Sequence, residues 1–172
     1  GSTLLALVEG MPAGLLIDQE FINAQLRRRQ GGYGRGGRQR IETDIVRIAT
    51  GVRAGTTIGA PVVLEIPNKD SRMDDPVKTP PVTRPRPGHA DLAGSLKWLT
   101  TDCRGTLERA SARETAARVA AGALAALLLR EFGIQVFGFV RGAIDAVSTA
   151  TIAAADLPAL RAARDASDVY CP

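Results

Sequence analysis

The sequence predicts a mixed α+β domain, and three observations carry that expectation. Short apolar runs with strand texture stand at 4–8, 45–49 and 61–66. A long Ala-rich stretch after Ser111 has the texture of a close-packed helix. The runs and helices come in mixed order with no regular strand–helix–strand alternation, which disfavours a doubly wound parallel sheet. The 172 residues are 45% hydrophobic but only 4% aromatic. One domain spanning 1–172 with a core of Ala, Val, Leu and Ile follows from those values.

Taken in order, 4–8 reads as a buried strand leaving the core, and Met11-Pro12-Ala13-Gly14 as turn chemistry. Asp18 is placed to cap a helix whose apolar face carries Phe21, Ile22 and Leu26, with Gly31-Gly32 as its stop. Arg27, Arg28 and Arg29 then fall in the last turn, where positive charge suits the helix dipole. A second strand is expected where Ile45, Arg47 and Ala49 alternate with Val46 and Ile48, and a third at 61–66. The stretch from Pro67 to Pro87 holds six prolines and reads as a surface loop. Ser111-Ala112-Arg113-Glu114 has the S-x-x-E form of a capping box opening a helix to Phe132, closed by Gly133. Ile134, Val136, Phe137 and Phe139 suggest a buried strand, and Asp156 with Pro158 a last helix to about Ala166.

Charge is concentrated locally. Lys and Arg total 22 against 18 acids, a net charge of +4. The segment from Arg27 to Arg40, RRRQGGYGRGGRQR, packs six arginines and five glycines with no acid and no lysine. Arginine grips carboxylate or phosphate with a planar fork of donors, and glycine lets the backbone approach closely. The pattern suits a polyanion, either a nucleic acid or a small metabolite. The nucleic-acid alternative rests on Arg35-Gly36-Gly37 and a Tyr33 able to stack on a base. Its placement between a patterned helix and a strand, and the low aromatic content, argue against that alternative.

Cys103 and Cys171, the only cysteines, lack the paired spacing of a zinc site or disulfide framework, so no metal is expected and a reducing, cytoplasmic setting is. The longest uncharged run, 119–129, is well short of the ~20 apolar residues that span a bilayer, so no membrane association is expected. Two further groups could carry chemistry. His89, the single histidine, follows the Pro-rich loop in Arg86-Pro87-Gly88-His89-Ala90-Asp91, in the charged company of Arg84, Arg86 and Asp91. Imidazole ordinarily titrates near neutral pH, which suits a proton donor. Arg109 and Arg113 flank the helix start at Ser111, where free backbone N–H groups and the positive dipole end favour an anion.

These residues resemble the chorismate synthase family. The resemblance rests on Val8-Glu9-Gly10-Met11-Pro12-Ala13-Gly14, on RRRQGGYGRGGR followed by Ile41-Glu42, on Arg84-Pro85-Arg86-Pro87-Gly88-His89-Ala90-Asp91, and on Glu108-Arg109-Ala110-Ser111-Ala112-Arg113-Glu114-Thr115-Ala116-Ala117-Arg118-Val119-Ala120. Four long motifs stand in the right order, and the match spans nearly the whole chain. The resemblance implies a β-α-β sandwich, with helices between antiparallel sheets, assembled as a homotetramer. It implies a lyase of aromatic amino acid biosynthesis that removes phosphate from 5-enolpyruvylshikimate 3-phosphate in an anti-1,4 elimination, giving chorismate. Reduced FMN is the implied cofactor, with NADPH as a candidate reductant. By the same likeness, Arg29 and Arg35 match nucleotide- or substrate-binding positions, and Arg38, Arg86 and Arg113 match arginines of the substrate pocket. Arg109, Ala110 and Ser111 match a flavin-contacting triplet in which Ala110 replaces the commoner serine. His89 matches the catalytic histidine beside the reduced flavin.

The sequence also departs from the family pattern. Trp98-Leu99-Thr100-Thr101 replaces a stretch that is typically Tyr-Gly followed by an aromatic and an acid, and the loop at 70–83 is shorter than usual. The chain starts at the glycine that follows the histidine of a Gly-Glu-Ser-His-Gly motif, and the family's second half, with further flavin contacts and a catalytic aspartate, is expected beyond Pro172. The domain is thus expected to be incomplete at both ends and inactive by itself. An inactive homologue acting as an assembly partner is the remaining alternative.

Overall fold

The computed structural model describes residues 1–31, 43–69, 75, 77–136 and 138. Six strands and four helices lie among them: β1 Thr3–Val8, β2 Ala13–Leu16, α1 Gln19–Gln30, β3 Arg47–Thr50, β4 Val52–Arg53, β5 Thr56–Ile58, β6 Val62–Pro67, α2 Asp91–Trp98, α3 Arg104–Arg109 and α4 Thr115–Glu131. The class is α+β, as the mixed order of the elements implies.

One antiparallel sheet has the order β1-β6-β3 and the other β2-β5-β4. Central β6 alternates cleanly, sending Val62, Leu64 and Ile66 into the core. β1 runs alongside in register, with Leu4 opposite Ile66, Ala6 opposite Leu64 and Val8 opposite Val62. Only that face of β1 is covered. Leu5 and Leu7 are 61% and 62% exposed, so the strand is half-buried, not buried on both sides as the continuous apolar run suggests. An apolar run carries no alternation from which the covered face could be read.

The segment read as a turn holds more structure than expected. Met11 is buried and β2 begins at Ala13, anchored by Thr57, whose hydroxyl donates to the Pro12 carbonyl at 2.6 Å and accepts from the Leu15 N–H at 2.9 Å. The β4–β5 hairpin was not foreseen. Val52 pairs with Thr57 and Arg53 with Thr56, leaving Ala54 and Gly55 as a two-residue loop with φ of 49° and 81°. Positive φ at both positions is the primed turn geometry that matches strand twist. Ala-Gly is a weaker turn signal than Asn-Gly, which hides the hairpin in the sequence.

α1 forms as its caps dictate. The Asp18 carboxylate accepts from the Phe21 N–H at 2.9 Å, and Gly31 N–H closes the last turn on the Arg27 and Arg28 carbonyls. Ile22 and Leu26 face α4, whose Ala116, Ala120, Ala123, Leu124 and Leu127 form a stripe at helical spacing. α4 also touches β1 and β6 of one sheet and β2 of the other. Its alanines therefore let one helix serve as the common floor of both sheets.

Between β6 and α4, α2 and α3 appear where the sequence reading placed no element. α2 starts after Pro87-Gly88, with Gly88 at φ 68°. α2 and α3 pack closely because Gly94 has no side chain. A Cβ there would lie 2.1 Å from Thr106 Oγ1 and 2.4 Å from Cγ2. The capping box is not reciprocal. Ser111 Oγ accepts from the Arg113 N–H at 3.2 Å and caps a 3₁₀ turn, Ala112–Glu114, while Glu114 pairs with arginines instead of returning to Ser111. α4 starts one turn later and ends before Gly133, which adopts φ 69°. Ile134 and Val136 are exposed and outside any strand, which corrects the buried strand expected there. An apolar run alone does not fix a strand. Phe137, Phe139 and the expected helix at 156–166 lie outside the described residues.

Candidate functional site

α1 delivers two side chains that fix the next segment. Gln19 Nε2 donates to the Val46 carbonyl and the Val46 N–H donates to Asn23 Oδ1, each at 2.9 Å. Gln19 and Asn23 are four residues apart, hence on one helix face. This clamp places Asp44 beneath the end of α1, where the Asp44 N–H also meets Gln30 Oε1 at 3.3 Å.

Asp44 is the centre of a buried ion cluster. Its carboxylate is fully covered, and the side chains of Arg29 and Arg113 are only 10% and 13% exposed. Arg29 Nη1 donates to Asp44 Oδ2 at 3.1 Å, its Nε to Thr115 Oγ1 at 2.9 Å and its Nη2 to the Ala112 carbonyl at 2.8 Å. Arg113 donates from Nη1 to Asp44 Oδ1, from Nη2 to the Pro67 carbonyl at 2.7 Å and from Nε to Asn68 Oδ1 at 3.4 Å. One carboxylate thus joins the end of α1, the end of β6 and the entrance of α4. Two guanidiniums around one carboxylate leave the named groups with a net positive charge. The sequence reading named Arg29 and Arg113 but missed Asp44. The available signal was an acid directly after the arginine-rich loop and Ile41-Glu42.

A second cluster lies at the start of α2. The Asp91 side chain is fully covered. Its Oδ2 accepts from the Arg86 N–H at 3.0 Å and from Arg86 Nε at 2.8 Å. Its Oδ1 lies 2.9 Å from both Arg86 Nη2 and His89 Nδ1. The Arg86 guanidinium, followed by the Arg86 backbone N–H and His89, holds the Asp91 carboxyl well below the usual carboxylate range. The same pairing raises the Arg86 pKa. The His89 side chain is 31% exposed, so it is seated against Asp91 with one edge open.

A third group surrounds an open groove of about 690 Å³. Ala90, Trp98, Gly105, Arg109, Ala110 and Arg118 contribute to its wall. Glu114 bridges Arg109 and Arg118, and these pairings, Arg118 first, hold its carboxyl below the usual range. Ser111 is separated from this groove. It lies in a smaller hollow with Arg113 and Glu114, so the stretch Arg109-Ala110-Ser111 is divided between two surfaces. Asp102 anchors the Pro-rich loop to the groove by accepting from the Val82 N–H at 2.8 Å and the Arg104 N–H at 2.9 Å. Trp98 and Arg118 carried no role in the sequence reading. Trp98 ends α2 just before the turn at 99–103, where Leu99 takes φ 52°, and Arg118 reaches the groove from α4.

The structure therefore gathers Arg29 with Arg113 and, separately, His89 with Arg86, while Arg109 and Ala110 line the groove that Ala90 also borders. Arg35 and Arg38 lie outside the described residues. No helix among the described residues is long and apolar enough to cross a membrane.

Comparison with known proteins gives consistent results. A family model described as chorismate synthase matches residues 1–172. A chorismate synthase of Thermoanaerobacter pseudethanolicus is 61% identical over 136 residues, covering 79% of this chain and 39% of the relative. One from Desulforudis audaxviator is 52% identical over 183 residues, covering 100% of this chain and 46% of the relative. A crystal structure of chorismate synthase superimposes with a TM-score of 0.58 at 44% identity, over 77% of this chain and 32% of that one. The chain spans less than half the length of the curated relatives it matches.

Proposed function

Because the chain belongs to the chorismate synthase family, we propose that it contributes one side of the active site of a lyase that converts 5-enolpyruvylshikimate 3-phosphate to chorismate with loss of phosphate. The observation that carries this reading is the set Arg86, His89 and Asp91, which joins a cation and a proton-exchanging ring on one buried carboxylate. The substrate bears one phosphate and two carboxylates. Arg29, Arg35, Arg38, Arg86 and Arg113 would contribute positive charge toward those anions, and Arg29, Arg86 and Arg113, held by Asp44 and Asp91, would do so without reorganising during the reaction. His89 holds the proton that the site exchanges as charge moves across the reacting centre.

The groove residues fit reduced FMN. Ala90, Gly105 and Ala110 project little into it, Trp98 supplies an aromatic wall, and Arg109 and Arg118, bridged by Glu114, leave a net positive charge for a phosphate-bearing tail. Its volume also lies in the range of about 300–1,000 Å³ usual for ligand sites. Arg109 and Ala110 would hold the cofactor directly, and Ser111 would act from behind by capping the turn that positions them. The reduced flavin, when bound, supplies an electron that the elimination borrows and returns. Water exclusion would come from Trp98 and from the remainder of the fold. NADPH as reductant, a homotetrameric assembly and a cytoplasmic location complete the proposal. Nothing among the described residues favours the nucleic-acid alternative or an inactive homologue.

The test joins this chain to the remaining sequence of the Thermoanaerobacter relative and measures chorismate formation from 5-enolpyruvylshikimate 3-phosphate and reduced FMN under anaerobic conditions. Turnover by the fusion, with little by the 172-residue chain alone, is expected. His89→Ala in the fusion should cost about 10²–10⁴-fold, the usual contribution of a positioned proton-transfer group. Unchanged turnover in that variant would refute the role of His89.

A further inference from the structure

Asp91 stands between the two residues on which the proposed reaction most depends, and its contacts determine more than their position. His89 Nδ1 lies 2.9 Å from Asp91 Oδ1 and 2.9 Å from Arg86 Nη2. A single ring nitrogen cannot donate to the first and accept from the second at once. If the proton were on Nε2, the Nδ1 lone pair would accept from Arg86 but would face a buried carboxylate oxygen at hydrogen-bond distance. That places two acceptors in contact, a costly arrangement for the covered Asp91 oxygen. If the proton is on Nδ1, it donates to Asp91 Oδ1, and Arg86 Nη2 keeps its own bond to the same oxygen at 2.9 Å. The two donors, 2.9 Å apart, then converge on one ionised oxygen, which can accept from both.

We propose that Asp91 is the positioning residue of this site: it fixes the proton of neutral His89 on Nδ1, leaves Nε2 as the nitrogen through which the ring exchanges protons, and holds Arg86 on the same carboxylate. The geometry around it supports the role. Arg86 binds in two-pronged fashion, with Nε on Oδ2 and Nη2 on Oδ1, and the Arg86 N–H adds a third donor. Gly88 at φ 68° turns the chain so that residues 86, 89 and 91 meet. The carboxylate stays ionised because these donors hold its pKa down. An orienting carboxylate behind an imidazole is a general way to select a tautomer. The consequence for catalysis rests on the proposed function, but the tautomer does not.

His89 is the only histidine of the 172 residues, so a long-range ¹H–¹⁵N correlation spectrum of the ¹⁵N-labelled whole chain reports this ring without assignment. At a pH where the ring is neutral, Nδ1 is expected to carry the proton and Nε2 to resonate as the unprotonated nitrogen. In Asp91→Asn the ratio of Nδ1–H to Nε2–H forms should fall by about tenfold or more, since a hydrogen bond to a charged group contributes about 1.5–3 kcal/mol. Arg86→Gln should keep the Nδ1–H form. A wild-type ring protonated on Nε2 overturns the proposal. So does an unchanged ratio in Asp91→Asn, checked as folded by its amide spectrum, or a switch to Nε2–H in Arg86→Gln. Should Asp91→Asn fail to fold, the wild-type and Arg86→Gln spectra still decide. Loss of the lyase reading alone would leave the tautomer result standing, and an Nε2–H ring in an active fusion would refute only the positioning role.

Discussion

Replacing Asp44 with asparagine removes the carboxylate that Arg29 and Arg113 share. Asp44 is fully covered, and Arg29 and Arg113 are 10% and 13% exposed, so water can do little to compensate. Removing one partner of a buried ion pair typically costs about 3–5 kcal/mol, because the remaining charge stays buried and unpaired. Two such pairings are lost together here, which places the expectation within that range. Domain stabilities are about 5–15 kcal/mol, so the loss is a large share of the whole. With a urea slope of about 2 kcal/mol per molar, the unfolding midpoint should fall by about 2 M at unchanged slope. The assay is urea unfolding of the whole chain followed by circular dichroism. The cost should also be non-additive. Arg113→Gln in the Asp44→Asn background deletes a guanidinium whose bond to Asp44 is already lost, so the double variant should cost less than the sum of the two single changes. A midpoint within about 0.3 M of wild type would refute the reasoning, as would costs that simply add in the double variant.

Gly94→Ala should force α2 and α3 apart, since the new Cβ would meet the Thr106 side chain at 2.1 Å. Overpacking of this kind costs about 1–3 kcal/mol, read as a melting temperature lowered by about 2–12 °C, and Thr106→Ala should recover part of it. For pH, the Asp91 carboxyl is held below its unfolded value, so its stabilisation is complete above about pH 4 and is lost as pH falls toward the folded value. Wild type should therefore lose more urea resistance between pH 6 and pH 3 than Asp91→Asn, and parallel losses would exclude the contribution.

Local signals account for what was legible. Asp18 and Gly31 delimit α1 because caps act on neighbouring backbone groups, and Gly133 ends α4 for the same reason. The strand at 61–66 was readable because β6 is central and alternates fully. The site motifs were also visible as runs of arginine, glycine and the lone histidine. Where the reading failed, the cause was tertiary. Which face of β1 is covered depends on α4, and the S-x-x-E motif lost its reciprocal bond because Arg109 and Arg118 compete for Glu114. α2 and α3 have weak periodicity of their own and are fixed by the Gly94–Thr106 contact and by Asp102.

The sequence by itself determined the α+β class, the ends of the two principal helices and the family. It also determined which side chains could meet an anion or move a proton. The tertiary structure decided how those side chains are partnered. Arg29 and Arg113 lie 15 and 69 residues from Asp44, and no local pattern records that they share it. Asp91 is close to His89 in the chain, yet its effect on the ring depends on being buried with Arg86 beside it. Burial removes the water that would otherwise satisfy each group separately, and that makes one carboxylate decisive for two others.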